Sequence, residues 1–361
     1  MLVGAVLVVL LSRKSSRVIS LSYPTRRSRQ QSNIFVQNNP TFVTKDRQWI
    51  RYRCRVAYDG SGLNGFQYQG NPTKSHIRTV QGELEDVLQR RFHRPIRVVG
   101  ASRTDSGVHA RGQAVHFDLL QEESEKIQTK LLQSSLNRML RKDIRIWNVQ
   151  LAPLPSALHK AQPRRGLDDE ADEEQNYAGD SSPIYEWNAM LNCHSKLYVY
   201  RFSTSPAMDP CLRHNRWQLD LAGDDDYHML SPDRLRKTLQ RYQGTHDFAC
   251  FAGALERESK KKGYDLNTVR SIHSITLVEE GDDNYRIEIQ LDGALYKMIR
   301  NVVGTAIDVC RGRVSLEYLD LLLNPDGQRN RHDNPCKPAP PQGLTLERAY
   351  YKNENDHDDD F

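Results

Sequence analysis

The stretch Ile96-Arg97-Val98-Val99-Gly100-Ala101-Ser102-Arg103-Thr104-Asp105-Ser106-Gly107-Val108-His109-Ala110-Arg111-Gly112-Gln113-Ala114-Val115-His116-Phe117-Asp118-Leu119 reads as two strands joined by a polar loop. Apolar and β-branched residues recur with a period near two over Ile96 to Ala101 and Gly112 to Leu119, while the segment between them is small and charged. Before it, Val80, Leu84, Val87 and Leu88 fall at i, i+4, i+7 and i+8 behind the N-cap candidate Thr79, which predicts a helix from Val80 to Phe92. A strand at Arg51 to Tyr58 precedes that helix. A second helix (Lys126 to Leu140) and a strand (Ile144 to Leu151) follow the quoted stretch. The order is β-α-β-β-α-β, the ferredoxin-like arrangement.

The same order recurs downstream. Strands near Glu186 to Ser203 lead to a helix from Pro232 to Tyr242, strands Thr268 to Val278 and Tyr285 to Asp292, and a helix from Ala294 to Cys310. A short helix, Leu316 to Leu323, and a strand, Leu344 to Tyr350, complete it. The fold class expected is α+β: two related ferredoxin-like β-α-β-β-α-β domains with mixed, mostly antiparallel sheets that can be joined side by side. The domains expected are 46–158, carrying the Asp105 loop, and 184–352.

Charge is segregated along the 361 residues. Residues 1–45 hold seven Lys/Arg and no acid, 166–180 hold seven acids and no base, and the tail 353–361 holds five acids. The remaining body carries 44 basic against 34 acidic residues, which suits a polyanionic partner as well as it suits simple solubility. Residues 1–45 read as a leader resembling an organelle-targeting peptide, mitochondrial or plastid rather than cytosolic, or else as a disordered extension. The apolar run Leu2 to Leu11 is too short to span a bilayer as a helix, so no membrane partner is expected. Residues 159–183 read as an acidic disordered insertion. Six cysteines lie scattered without a C-x-x-C pair, which argues against a disulfide framework and a thiolate zinc site. Cys211-Leu212-Arg213-His214 with Cys193-His194 has spacing that could hold a metal, though closed sites show tighter ligand pairs, and none is expected.

In the loop, Asp105 sits two residues from Arg103 among small residues that let a substrate approach. A neighbouring arginine keeps a carboxylate ionised, which suits a nucleophile or base; the alternative is a structural pair bracing the loop. Asp105-Ser106-Gly107 also fits the aspartic-protease triplet, but those enzymes need two such aspartates and no second triplet occurs. An unrelated hydrolase would need a second acid, and Asp118, the nearest outside the loop, has no signature around it. On the helix from Ala294, the apolar stripe leaves Arg300 roughly 120° from its centre, free to face a cleft or simply water. His246-Asp247-Phe248 read as a capped and packed loop rather than an acid–base pair, and Arg257, Lys260, Lys261 and Lys262 as a polar loop that contacts phosphate or is merely solvated.

Seven collinear motifs between Arg51 and Tyr350 resemble the tRNA pseudouridine synthase A family. Ser102 to Ala110 is similar to G-R-T-D-x-G-V-H-A, and Tyr58-Asp59-Gly60-Ser61 with Gly65-Phe66-Gln67 and Gln69 to Y-D-G-S…G-W-Q-x-Q. Thr79-Val80-Gln81, Lys196-Leu197-Tyr198-Val199-Tyr200 and Gly244-Thr245-His246-Asp247-Phe248 with Phe251 supply three more. Met298-Ile299-Arg300-Asn301-Val302-Val303-Gly304 and Ala339-Pro340-Pro341-Gln342-Gly343-Leu344 supply the last two. The departures are Ser102 for glycine, Phe66 for tryptophan, Leu295-Tyr296 for F-L, and Met190, within Trp187-Asn188-Ala189-Met190, for an arginine.

The resemblance implies a pseudouridine synthase fold and an isomerase that converts uridine to pseudouridine in tRNA, in the anticodon stem-loop at positions 38–40, without metal or cofactor. It implies Asp105 as nucleophile, Arg103 holding its charge and orientation, and Arg300 pairing with it. Tyr198 would stack on the flipped base and Leu344 wall the pocket, with Thr104, Gly107 and His109 also meeting substrate. Gln67, Lys196, Asn301, Lys260 and Lys261 are the RNA-contact candidates, and a homodimer is expected. The rival is a non-catalytic RNA-binding or RNA-chaperone protein on the same scaffold, which a lost aspartate would signal; Asp105 is present.

Overall fold

A computed structural model describes residues 49–68, 77–153, 187–207, 209–219, 230–324 and 330–351, apart from the side chains at 256, 258, 261 and 262. The leader, the acidic insertion, the acidic tail, Gln69 and the Lys261 side chain lie outside the described residues.

The first half runs β1 (Trp49–Tyr58), α1 (Val80–Phe92), β2 (Val99–Gly100), β3 (His109–Leu120), α2 (Gln121–Ser124), α3 (Thr129–Met139) and β4 (Ile144–Leu151). Strand order is β4-β1-β3, with β2 on the far edge of β3. The second half contributes β5 (Cys193–Ser203), β6 (Trp217–Gln218), α4 (Pro232–Gln240), β7 (Gly244–Asp247), α5 (Leu255–Lys262), β8 (Val269–Gly281), β9 (Asn284–Leu291), α6 (Met298–Cys310), α7 (Leu316–Leu323) and β10 (Leu344–Tyr351). Its order is β10-β5-β9-β8-β7. The halves share one mixed sheet, because β10 lies parallel to the start of β3, pairing Thr345 with His109 and Leu346 with Ala110. The other neighbours along the sheet's main path are antiparallel. The described residues form one compact unit, and its main apolar cluster runs from Tyr52 through Leu346.

Local chemistry explains most boundaries. Thr79 caps α1 by accepting from the Gly82 amide, and Val80, Leu84, Val87 and Leu88 are buried as their spacing required. The strand expected from Ile96 shrinks to Val99–Gly100. The Val98 amide donates to Glu85 and its carbonyl accepts from Gln81, so side chains of α1 take the place of a strand neighbour. The strand expected from Glu186 begins only at Cys193, because Asn188 folds the preceding segment into a turn by accepting from the amides of Met190 and Leu191.

Two corrections concern the second half. Gly244–Asp247 is a strand, antiparallel to β8, rather than a loop. The basic segment expected as a polar loop is helix α5, ended by Gly263 in the left-handed conformation. Helix α6 starts at Met298, four residues later than its apolar periodicity indicates, because Lys297 adopts a left-handed conformation (φ 60°) that cannot continue a helix. Its buried face is wider than one stripe and includes Asn301, Gly304 and Thr305.

Candidate active site

The Asp105 loop lies on a bed that its own half provides. Gly65 has φ 86°, and a Cβ there would stand 2.7 Å from the Thr104 carbonyl oxygen, so only glycine lets this turn pass beneath the loop. The Phe66 amide donates to that same carbonyl. Thr104 is buried, its hydroxyl 2.7 Å from the Tyr58 hydroxyl, and the Gln113 amide donates to the Ser102 carbonyl at 2.5 Å. With the bond from the Gly107 amide to the Leu63 carbonyl at 3.3 Å, these contacts fix both ends of the loop while leaving Asp105 at its crest.

The second half closes on it. Arg300, in the first turn of α6, donates through Nη1 to Asp105 Oδ2 at 3.2 Å and through Nε to the Ala339 carbonyl at 2.7 Å. The chain from Ala339 to Leu344 crosses between the halves: Pro340 accepts from the Tyr200 hydroxyl at 2.8 Å, and Pro341 packs at Gly107, whose φ is 80°. Leu344 is buried at the head of β10. Tyr198, central on β5, is buried, and its hydroxyl lies 2.8 Å from Ser102 Oγ. Ser102, the departure from glycine, is therefore the link between the loop and the tyrosine.

Electrostatically, burial lifts the Asp105 carboxyl above the usual aspartate value, and the Arg300 charge and hydrogen bond, then the Lys297 charge, pull it back. This corrects the expectation of a carboxylate held low by its sequence neighbour. Arg103 is exposed, and the charges acting on Asp105 come from the other half. Removal from water, which disfavours charge, outweighs the single arginine. Burial also raises Tyr198, opposed by Lys196 and the Ser102 hydrogen bond.

The structure therefore brings together Asp105, Arg300, Tyr198, Thr104 and Gly107, while Leu344 is buried opposite Tyr200. It places others apart. His109 is buried at the start of β3, opposite Thr345 of β10, with Nδ1 accepting from the Gly60 amide at 3.1 Å and Asp59 3.3 Å away. Asn301, expected at the RNA, is 1% exposed and donates to the Phe251 carbonyl, which makes it a core amide. Lys196 is likewise buried, two residues before Tyr198 on β5, where its charge acts on that tyrosine. Gln67 is half-buried, and Lys260 is exposed on α5. Asp247 caps its own turn, accepting from the Ala249 amide and the Thr268 hydroxyl, beside fully buried Phe248. Cys193 is buried on β5 and Cys211 exposed, and no cluster of metal-ligating side chains occurs among the described residues. Lys297 is the residue local spacing missed; its only signal was its place one turn before Arg300.

One carboxylate, desolvated and held by an arginine from the opposite half of a joined sheet, defines an enzyme centre built on acid–base or nucleophilic chemistry. Comparison with known proteins gives the lineage: a family model described as tRNA pseudouridine synthase matches residues 55–155 and 238–352. The tRNA pseudouridine synthase A of Listeria innocua is 31% identical over 309 residues, covering 84% of this chain and 99% of that protein. That of Leuconostoc citreum is 34% identical over 309 residues (83% and 97%). The tRNA pseudouridine synthase A 1 of Protochlamydia amoebophila is 28% identical over 305 residues (84% and 97%). The chain belongs to the tRNA pseudouridine synthase family, a family of isomerases.

Proposed function

We propose that this protein isomerises uridine to pseudouridine in the anticodon stem-loop of tRNA, with Asp105 as the nucleophile. The observation that carries the reading is the Asp105–Arg300 pair, formed across the seam between residues 195 apart in sequence. In the reaction the bond from N1 of uracil to the ribose breaks, the base turns, and C5 bonds to the same ribose carbon. The proton lost from C5 is balanced by one gained at N1, so composition is unchanged. Asp105 is suited to bond transiently to the substrate because Arg300 favours its ionised form while burial strips its hydration. The target base must leave its stack to reach a residue enclosed this far. Tyr198, within electrostatic reach of Asp105, is the aromatic wall for the flipped base. The anticodon arm, like a homodimeric assembly, rests on the resemblance of the seven motifs. Sedimentation of the purified chain tests the dimer. Import into mitochondria or plastids rests on the leader's composition, and imaging a fusion of residues 1–45 tests it.

Asp105→Asn is expected to abolish pseudouridine formation, by about 10⁴-fold or more, while tRNA affinity stays within a few-fold of the parent. Unchanged turnover in that variant would falsify the mechanism. Mapping pseudouridine in tRNA with and without the enzyme tests the substrate, and no change at any anticodon-arm site rules that assignment out.

A further inference from the structure

Just before Arg300 in the chain stand two residues, Tyr296 and Lys297, to which the mechanism assigns no contact with RNA. Tyr296 is 51% exposed, unusual for an aromatic ring. Its carbonyl accepts from the Gly253 amide at 2.7 Å, and a Cβ at Gly253 would lie 3.0 Å from its ring, so the ring rests against bare backbone. Lys297 follows with φ 60° and ψ 4°, a left-handed conformation that residues with a side chain adopt only under constraint. Its ammonium lies 5.1 Å from the centre of the Tyr296 ring, and it stands one helical turn before Arg300, near enough for its charge to act on Asp105. Gly253 leads directly into α5, where Arg257 and Lys260 are exposed. An exposed ring with a cation over it, next to a basic helix, is the equipment with which proteins hold unstacked nucleotides.

We propose that Tyr296 and Lys297 form a subsite for the nucleotide adjoining the isomerised uridine, its base stacking on the Tyr296 ring and its phosphate meeting Lys297. The inference rests on the reading of Asp105 as the nucleophile of an RNA isomerase, and it specifies how that site grips a flanking nucleotide. A uridine cannot be turned out of a stack without its neighbours losing a stacking partner. A ring at the pocket's edge replaces that partner, and a lysine there neutralises the phosphate drawn close to Asp105. Sequence-tolerant stacking would let one enzyme serve several tRNAs with different neighbours.

The test uses the full chain, a tRNA transcript, and two versions of it carrying one abasic nucleotide immediately 5′ or 3′ of the target. Tyr296→Ala is expected to raise KM about tenfold or more, with kcat within threefold, whereas Tyr296→Phe keeps the parental KM. The abasic RNA on the stacked side is expected to raise KM for the parent by a similar factor and to cost Tyr296→Ala nothing further. Lys297→Gln is expected to lower the slope of log affinity against log salt by about one. A Tyr296→Ala KM within twofold of the parent, or equal abasic penalties in parent and variant on both sides, overturns the stacking. A Lys297→Gln variant with an unchanged salt slope overturns the phosphate contact. If instead the parent forms no pseudouridine, the reading of Asp105 fails. The same RNAs, measured by fluorescence anisotropy binding, then still decide the subsite.

Discussion

Each half contains an adjacent antiparallel strand pair, β2–β3 in the first and β8–β9 in the second, but the link within the pair differs. In the second half β8 and β9 are joined by Asp282 and Asp283 alone, both with positive φ (51° and 56°), the geometry of a tight hairpin turn. In the first half the corresponding link, residues 101–108, is the Asp105 loop. The strand before it is cut to two residues, Val99–Gly100, paired with His116 and Val115. That shortening leaves the start of β3 open, and β10 of the other half pairs there at His109 and Ala110. One connection closes a ladder; the other, freed from it, joins two sheets and raises an acid at their junction. The division of labour follows: the first half offers Asp105, and the second grips it with Arg300 and Lys297.

The comparison is broken hardest at Arg300. Arg300→Lys cannot reach both the Ala339 carbonyl and Asp105, since a lysine has one donor centre where arginine has a planar fork. We expect kcat to fall about 100-fold or more with a smaller change in KM. The sign of the pH effect is fixed. Arg300 pulls the Asp105 carboxyl down against burial, so weakening the pair lets it rise further, and the low-pH limb of the kcat profile moves to higher pH. A pH–rate profile checks this, and a limb that stays in place means that Arg300 does not set the ionisation of Asp105.

Much of this was legible in the residues, and the exceptions have a common cause. The periodicity of Val80, Leu84, Val87 and Leu88 placed α1, and alternation placed β3 to within three residues, because those signals are local. Arg103, two residues from Asp105, was the natural partner by spacing; the ion pair formed is with Arg300, brought near by the β3–β10 seam, which no local window reports. Asn301 next to Arg300 looked equally able to touch RNA, yet helix α6 is buried on nearly every side and its amide is spent on Phe251. The truncation of β2 was hidden because Gln81 and Glu85, helix residues by pattern, serve as its hydrogen-bond partners.

A second contact between the halves supplies the next prediction. Ala101 and Ala114 of the first half pack with Trp187, Ala189, Cys193, Ala349 and Tyr351, and beside this cluster His116, edge-on to Trp187, accepts through Nδ1 from the Ala189 amide at 3.1 Å. Burial, then the charge of Arg51, hold the His116 imidazole neutral down to about 3. The unfolded chain protonates it near its ordinary value, about 6.5, and the folded protein does not, so stability is lost as pH falls below that value. The loss amounts to about 2 kcal/mol at pH 5, at ~1.4 kcal/mol per unit. Denaturant unfolding at pH 7 and pH 5 is expected to show His116→Gln, less stable at pH 7, losing correspondingly less than the parent on acidification. Equal losses would mean that the seam does not depend on a neutral imidazole.

The smallest effect belongs to the turn that the second half kept short. Asp283 is exposed, holds φ 56°, and contributes to the fold through its carbonyl, which accepts from the Thr204 amide. Asp283→Gly keeps that carbonyl and removes the left-handed strain of a residue with a Cβ, while the looser unfolded chain offsets part of the gain. The expected result is a change within about 0.5 kcal/mol, on the stabilising side, with kcat and KM unaltered. A loss of activity there would mean that the β8–β9 hairpin acts on the site after all, and the contrast between a connection that closes a ladder and one that carries chemistry would fail.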